Sequence, residues 1–268
     1  HDLLDRLTTE EKISLLLYNS PGVERLGIPA YNWWNEALHG VGRAGRATVF
    51  PQAIGLAATF SDALLQQVGS VISNEARAKY NIAVKNNNRG QYLGLTFWSP
   101  NINIFRDPRW GRGHETYGED PFLTGRIGTA FVKGMQGDDP RYYKTVACAK
   151  HFAVHSGPEP ARHAFNAIVS NNDLHNTYLP AFKKLVTEAK VGGVMCAYNR
   201  LDSLPCCASP YLLQDILRKE WGFKGYVVTD CWALDDIFRY NQYVKTPEEA
   251  AANAIKNGVN VECGNTLN

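Results

Sequence analysis

The chain has 268 residues, with 28 Lys plus Arg against 26 Asp plus Glu, a formal charge of +2 and a 44% hydrophobic share. Nothing in that balance points to a nucleic-acid surface or an acidic-lipid partner, and neither is expected. No uninterrupted apolar run approaches the roughly 18 residues that would suggest a membrane span. The length fits one large domain, and parallel α/β barrels of about 250 residues are common. The first residue is His1 rather than Met and no secretory segment is present, as in a mature or trimmed product. The expected location is secreted or periplasmic, with the cytoplasm as the alternative.

Taken in order, residues 3–17 carry apolar side chains at helical spacing, with Thr8 or Thr9 placed to cap the second half and Glu11 in its first turn. Strand-like runs follow at 31–34, 96–103, 145–151, 192–198, 226–230 and 259–263. Between them, helical patterns cover 63–80, 121–136, 173–189, 210–220 and 247–257. Ser61 and Asn172 are expected caps, and Pro121, Pro210 and Pro247 are expected near first helical positions. Strands alternating with helices predict an α/β fold with a parallel sheet and right-handed crossovers, and hence a TIM-type (β/α)8 barrel. Six strands are legible where eight are needed, and the other two are expected within 22–27 and 47–58 or as short, irregular pieces. The chain stops soon after the run at 259–263, which leaves that sheet edge uncovered. The barrel is therefore expected to be irregular or incomplete at its C-terminus, and the chain to be a fragment of a longer protein.

Six cysteines do not make a small disulfide scaffold at this length. Cys148, Cys196, Cys231 and Cys263 sit in strand-like runs, where small buried hydrophobes are expected. Adjacent Cys206 and Cys207 lie in a Pro-containing loop and are expected as two thiols rather than a vicinal bridge. No C-x-x-C exists, and His151 and His155 lack the H-E-x-x-H pattern and follow a strand, so no metal is expected. No G-x-G-x-x-G joins a strand to a helix, and no cofactor is expected.

Each strand hands off to polar residues. Asn35, Glu36 and His39 follow the first. Asn101, Arg106, Asp107, Arg109 and Arg112 follow the second, with Glu115, Glu119 and Asp120 beyond. The third ends in Lys150 and His151, and the fourth in Tyr198, Asn199 and Arg200. The run Gly225-Tyr226-Val227-Val228-Thr229 ends in Asp230, beside Cys231 and Trp232. In a parallel barrel the carboxyl-terminal strand ends are where catalytic side chains collect. Carboxylates, cations, an imidazole and indole rings suit a neutral polyhydroxy ligand. Phosphate fits poorly, because no Gly-rich loop opens a helix behind the cations.

Beside Lys150 and Arg112, Asp230 is expected to be held ionised, as attack on an anomeric carbon requires. Retaining hydrolysis then needs a second carboxyl about 5–5.5 Å away. Glu36, Glu115 and Glu119 are nominal candidates, and the spacing selects none. Arg106, Arg109 and Arg112 also read as a solvated loop or as an ion-pair cluster with Glu115, Glu119 and Asp120; the structural role suits Arg109, and the sugar site suits Arg112. Trp34 and Trp232 are the indoles expected to reach the pocket, and Tyr198 is expected there rather than in the barrel wall. A buried Lys150 requires a carboxylate or ligand nearby.

These motifs together resemble the amino-terminal barrel of glycoside hydrolase family 3, the group of exo-acting β-glucosidases, β-xylosidases and β-N-acetylglucosaminidases. The matching segments are Trp34-Asn35-Glu36-Ala37-Leu38-His39-Gly40, Asp107-Pro108-Arg109-Trp110-Gly111-Arg112, Glu119-Asp120-Pro121, Lys150-His151-Phe152, Met195-Cys196-Ala197-Tyr198-Asn199 and Val228-Thr229-Asp230. They run through nearly the whole chain in family order. The resemblance implies that Asp230 is the nucleophile of a covalent glycosyl-enzyme. It implies that Arg112, Lys150, His151, Arg162, His163 and Tyr198 line the sugar subsite, and that Glu36 grips the distal hydroxyls. Thr229 stands where the family more often has Ser. The acid/base of most members is a Glu in an α/β sandwich domain that follows the barrel, and that domain is the expected partner. The β-N-acetylglucosaminidase branch takes its acid from a His-Asp pair on a barrel loop, and its loop pattern differs from residues 151–159 here.

Residues 33–39 and 155–159, with Arg162 and His163, resemble the β-xylosidase branch, some of whose members also accept α-arabinofuranosides. The implied substrate is a xylo-oligosaccharide, with a β-glucoside as the alternative. Cys231 and Cys263 would lie on neighbouring strands about 4.8 Å apart, close enough for a disulfide, and the choice between a bridge and two thiols stays open. A bridge would fill the space a glucoside needs for its C6 hydroxymethyl group. Two readings of other kinds remain: a non-catalytic carbohydrate-binding barrel and a sugar-phosphate barrel enzyme. Oligomeric association is left open.

Overall fold

In this computed structural model, which describes residues 2–268, apolar strands and amphipathic helices alternate in the order expected. The helix expected over 3–17 is broken. α1 (Asp2–Arg6) and α2 (Thr9–Ser14) are separated by Thr8, which caps α2. Its hydroxyl accepts the Glu11 N–H at 3.2 Å, while the Glu11 carboxylate accepts the Thr8 N–H at 2.8 Å. The chain then runs extended, so that Leu17 bridges in parallel to Glu262.

Next come β1 (Asn19–Ser20), β2 (Tyr31–Asn32), α3 (Ala53–Ala57), α4 (Asp62–Lys85), β3 (Thr96–Phe97), α5 (Pro121–Gln136) and β4 (Val146–Phe152). Neither extra strand expected within 22–27 or 47–58 forms. The first region is a tight turn with Gly27 at φ 67°, and the second carries α3. Ser61 caps α4 as expected, accepting the Leu64 N–H at 3.3 Å. Beyond β4 lie β5 (Asn166–Ala167), α6 (Asn171–Asp173), α7 (Pro180–Thr187), β6 (Gly193–Cys196), β7 (Arg200–Leu201), β8 (Leu204–Pro205), β9 (Tyr226–Thr229), α8 (Ala233–Arg239) and α9 (Pro247–Asn257).

The pattern over 173–189 splits because Pro180 restarts the helix after a wide π-type turn at Leu174–Tyr178. Its cap is Ser170 rather than Asn172, accepting the Asp173 N–H at 3.0 Å. The segment Tyr211–Glu220 is likewise π-helical. α8, directly behind the Asp230 strand end, was not anticipated.

Strands β3, β4, β6 and β9 form a parallel sheet in that order. Val228 bridges in parallel to Val261, and Glu262 pairs with the extended segment at Leu16 to Tyr18. On the other side, β2 pairs antiparallel with β1, and the Asn35 carbonyl accepts the Trp98 N–H at 2.9 Å. The ring therefore closes through seven staves among the described residues, and the β1–β2 pair is its one antiparallel pairing. The irregularity lies at the N-terminal side of the barrel. The edge expected to be bare at 259–263 is paired, because Tyr18 and Leu16 supply its hydrogen bonds.

Alternation along the staves sets the two faces. Ala147, Ala149, Val194 and Val227 point outward into a large core beneath the helices, shared with Phe131, Met135 and Leu185. Cys148, Met195, Val228 and Val261 point inward and pack with Trp98, Trp33 and Trp34. Leu65, Ile72 and Phe131 in that outer core are fully buried, where truncation to Ala costs about 2–5 kcal/mol. The polar strand ends thus stand on a filled barrel. Two disulfides brace them: Cys231–Cys263, with Cα atoms 4.4 Å apart, and Cys196–Cys207, at 5.1 Å. The second overturns the expectation for Cys196 and Cys207, because the loop after β8 folds back on the outer face of β6. Cys148 and Cys206 are buried thiols.

Candidate active site

Asp230 follows β9 and is buried at the centre of the barrel mouth. Its N–H donates to the Cys196 carbonyl at 3.0 Å, which ties it to β6, and its Oδ1 accepts the Cys231 N–H at 2.9 Å. Oδ2 has no hydrogen-bond partner and lies 3.5 Å from His151 Nε2. Burial raises the Asp230 pKa, while Arg112, Lys150, the Cys231 N–H and the Tyr198 hydroxyl pull it down. The net direction is upward. This corrects the expectation of a carboxyl held low, since the two cations only partly offset the loss of water.

His151 is held at the end of β4 by Asn103. The Asn103 Nδ2 donates to the His151 carbonyl at 2.8 Å, so Oδ1 accepts the His151 N–H at 2.8 Å and Nδ1–H at 2.9 Å. The proton is thereby placed on Nδ1, and Nε2 turns a lone pair toward Asp230. Burial first, then Arg112 and His155, holds the His151 pKa well below its usual value. Lys150 is also buried, and its pKa is lowered by burial and by Arg112. The fields of Glu115, Asp230 and Glu36 oppose that shift. No carboxylate lies within 4.0 Å of its ammonium among the described residues, so its expected partners act through space.

Arg112 forks onto Glu115, with Nε donating at 2.8 Å and a terminal nitrogen at 2.7 Å. Burial works to raise the Glu115 pKa, but Arg112, Lys150 and Asn101 bring it down to about 2. The pair presents a fixed guanidinium to the mouth and is the closest part of the expected Arg cluster to it. Arg109 turns away into an ion pair, the structural role expected of it, but its partner is Asp107 at 2.8 Å rather than Glu115, Glu119 or Asp120.

The rim is made of looser parts. Trp34 stacks on Trp98 with centroids 5.5 Å apart, meets Trp232 edge-on at 6.3 Å, and donates Nε1–H to Glu36 at 3.0 Å. Glu36 also lies 3.5 Å from the exposed Arg43. Trp232 is half exposed and adopts φ 63°. Across the mouth, Tyr198 lies 4.6 Å from the His163 ring, whose Nδ1 is 2.9 Å from buried Asp236. Burial raises Asp236 to about 6 against the pull of His163. Arg162 pairs with Glu159, whose other oxygen accepts the Gly111 N–H at 3.1 Å and clips the two loops together. The structure thus brings Asp230, Arg112, Lys150, His151 and Tyr198 around one centre. Trp34, Glu36 and Trp232 stand on one side of the mouth and Arg162 and His163 on another.

The model of the glycosyl hydrolase family 3 N terminal domain matches residues 6–266. The chain belongs to glycoside hydrolase family 3. It is 52% identical, over 98% of its length, to a xylan 1,4-beta-xylosidase of Xylanibacter ruminicola, of which it covers 31%. It is 45% identical, over 99% of its length, to a beta-xylosidase/alpha-L-arabinofuranosidase of Medicago sativa, covering 35% of that protein. A solved exo-beta-xylosidase of the family, in complex with a xylobiose aziridine probe, superposes with a TM-score of 0.91 at 35% identity, covering 99% of this chain and 35% of that one. The chain spans about a third of the length of the curated relatives it matches.

In this family 3 barrel the sequence did not single out Asn103, Asn199 or Asp236 as supports for the histidines, nor the Arg112–Glu115 fork as a dedicated pair. Glu115 and Arg112 at i, i+3 were a visible signal of the last. Asn103, Asn199 and Asp236 reach their partners across 48, 44 and 73 residues of chain, a distance that spacing does not reveal.

Proposed function

We propose that this chain is the nucleophile-bearing barrel of a retaining exo-β-glycosidase that removes terminal β-D-xylosyl residues from xylo-oligosaccharides. The observation that carries this reading is the seat of Asp230, fixed by two backbone bonds with Oδ2 free and flanked by Lys150, Arg112 and a neutral His151. In the first step an Asp230 oxygen bonds to the anomeric carbon as the glycosidic C–O bond breaks, and the leaving oxygen takes a proton from an acid. Water then attacks from the face that the leaving group vacated, opposite Asp230; the C–O bond to Asp230 breaks, the water's proton passes to the conjugate base, and the second inversion restores the original configuration.

Glu115 is committed to Arg112, Glu36 to Trp34 and Arg43, and Glu119 is exposed at the start of α5. The proton donor is accordingly assigned to a part of the protein outside these residues, in keeping with the greater length of the relatives. For the sugar, the Cys231–Cys263 bridge beside the nucleophile and the Trp34–Trp98 stack narrow the space that a hexose C6 group requires. The names of the relatives support a pentose. Such a wall is worth roughly 1–3 kcal/mol of discrimination. Two disulfides also support an oxidising compartment, secreted or periplasmic.

The test is covalent trapping with a 2-deoxy-2-fluoro-xyloside carrying a dinitrophenyl group, which departs without acid assistance. Intact mass and peptide mapping should find one adduct, on the peptide containing Asp230. Labelling by the matching glucoside alone would keep the mechanism and overturn the sugar. Labelling by neither, in this chain and in a longer form of the protein, would favour a non-catalytic sugar-binding barrel.

A further inference from the structure

His155 has no part in the reading above, yet it is buried in the same mouth at 4% exposure. Asn199 fixes its tautomer. The Asn199 Nδ2 donates to the carbonyls of Ala153 at 3.2 Å and Arg200 at 3.1 Å, so Oδ1 accepts His155 Nδ1–H at 3.0 Å. Nε2 is left as an acceptor, and no donor reaches it. Burial first, then Arg112, brings the His155 pKa to about 3, so the ring stays neutral under ordinary conditions. Its centroid lies 4.9 Å from that of His151 and 5.9 Å from that of Tyr198.

A buried acceptor with no donor is costly and uncommon. Here Nε2 of His151 and Nε2 of His155 both lack a donor, on adjacent rings, and Asp230 Oδ2 lacks one beside them. Such a group calls for hydrogen-bond donors that bring no charge. A cation is opposed by Arg112, whose field already disfavours charge on both rings. An ionised carboxylate has no proton to give, nor has a phosphate monoester once its second proton is lost at about pH 6. Sugar hydroxyls meet both conditions.

We propose that His155 is a further sugar-binding residue, its Nε2 accepting a hydrogen bond from one hydroxyl of the xylosyl unit held at Asp230. This rests on the sugar-cleaving reading of the site. The competing arrangement is a water lodged between His155 and Trp110, whose Nε1–H is also unpartnered and whose ring is 5.8 Å away.

The test compares dinitrophenyl β-xyloside with its 2-, 3- and 4-deoxy analogues on the full-length protein and on its His155→Asn and His155→Gln variants. Asn keeps a donor for Asn199 and removes the Nε2 acceptor, whereas Gln can offer an acceptor near that place. His155→Asn should lower kcat/KM for the parent about tenfold while leaving one deoxy analogue within about twofold of wild type. His155→Gln should recover part of the loss. An equal loss for the parent and all three analogues would mean packing or a bound water, and would overturn the proposal. If the unaltered protein turns over no xyloside at all, the sugar reading itself has failed. Should both variants fail to fold, nitrogen NMR of labelled histidines in the unaltered protein decides the matter. The His155 Nε2 resonance should move on saturation with xylose, and a resonance that stays put while xylose binds would overturn the assignment.

Discussion

The floor of the mouth, where Lys150, His151, His155 and Asp230 are buried, and its rim, where Trp232, His163 and Arg43 meet solvent, hold their side chains by different means. On the floor, position is set by amides and backbone groups: Asn103 under His151, Asn199 under His155, and the Cys231 N–H on Asp230. Burial is the largest influence on each titrating group there, lowering Lys150 and His151 and raising Asp230, with the neighbouring charges second. On the rim, position comes from ring contacts and exposed ion pairs, which solvent weakens. The lesson is that one pocket combines a rigid, dry base, where a single atom matters, with an adaptable edge, where area matters more.

The largest break in this contrast is Asp230→Ala. Xyloside turnover by the longer protein should fall by about 10⁴-fold or more and fluoro-xyloside labelling should vanish, with mass spectrometry as the check. Lys150→Met should follow, with a loss of about 10²–10³ in kcat/KM, in line with the few kcal/mol of a desolvated charge. Thermal unfolding should show little loss of stability, because Lys150 has no direct ion-pair partner to strand. Glu115→Gln should do the reverse to stability. It leaves the Arg112 guanidinium without its carboxylate, and denaturant unfolding should register a loss of about 3 kcal/mol.

Two acids sharpen the contrast through pH. Glu115, drawn down to about 2 from 4.5, contributes stability that is complete above pH 4.5 and lost as the pH falls through about 2. Asp236, raised to about 6 from 3.8, has the opposite sign: its contribution is complete below pH 3.8 and lost as the pH rises through about 6. Asp236→Asn should therefore flatten the decline of Tm across that window, and Glu115→Gln should flatten the acid limb. The smallest effect belongs to Arg43→Ala at the rim, which should alter stability by less than about 1 kcal/mol in the same unfolding assay.

Much of the floor was legible because a strand that ends in a functional residue writes both facts in one short run. Val227-Val228-Thr229-Asp230 and Cys148-Ala149-Lys150-His151 are such runs, and the structure puts Asp230 and Lys150 at barrel strand ends. The antiparallel pairing of β1 with β2 was hidden because two paired residues carry no periodicity, and direction is not encoded in spacing. Pro180 and Thr8 were visible, but their power to split a helix depended on tertiary packing and on a cap competing with continuation. Cys196–Cys207 escaped notice because the loop after β8 turns back by 11 residues onto a strand already read as core. The direction of the Asp230 shift was misjudged for a related reason. Charged neighbours can be counted in a sequence, whereas the water removed around a side chain cannot.

The closing stave has a further consequence. Leu16 to Tyr18 reach their partners only at Val261 and Glu262, so the last seam of the ring joins the two most distant parts of the chain. Contacts of such separation are late and slow to form, and until they do the open sheet presents two unpaired edges. During synthesis those edges would stay bare until almost every residue described here has left the ribosome. Assembly of this barrel is therefore a matter of completion rather than accumulation, with its most exposed moment just before the end.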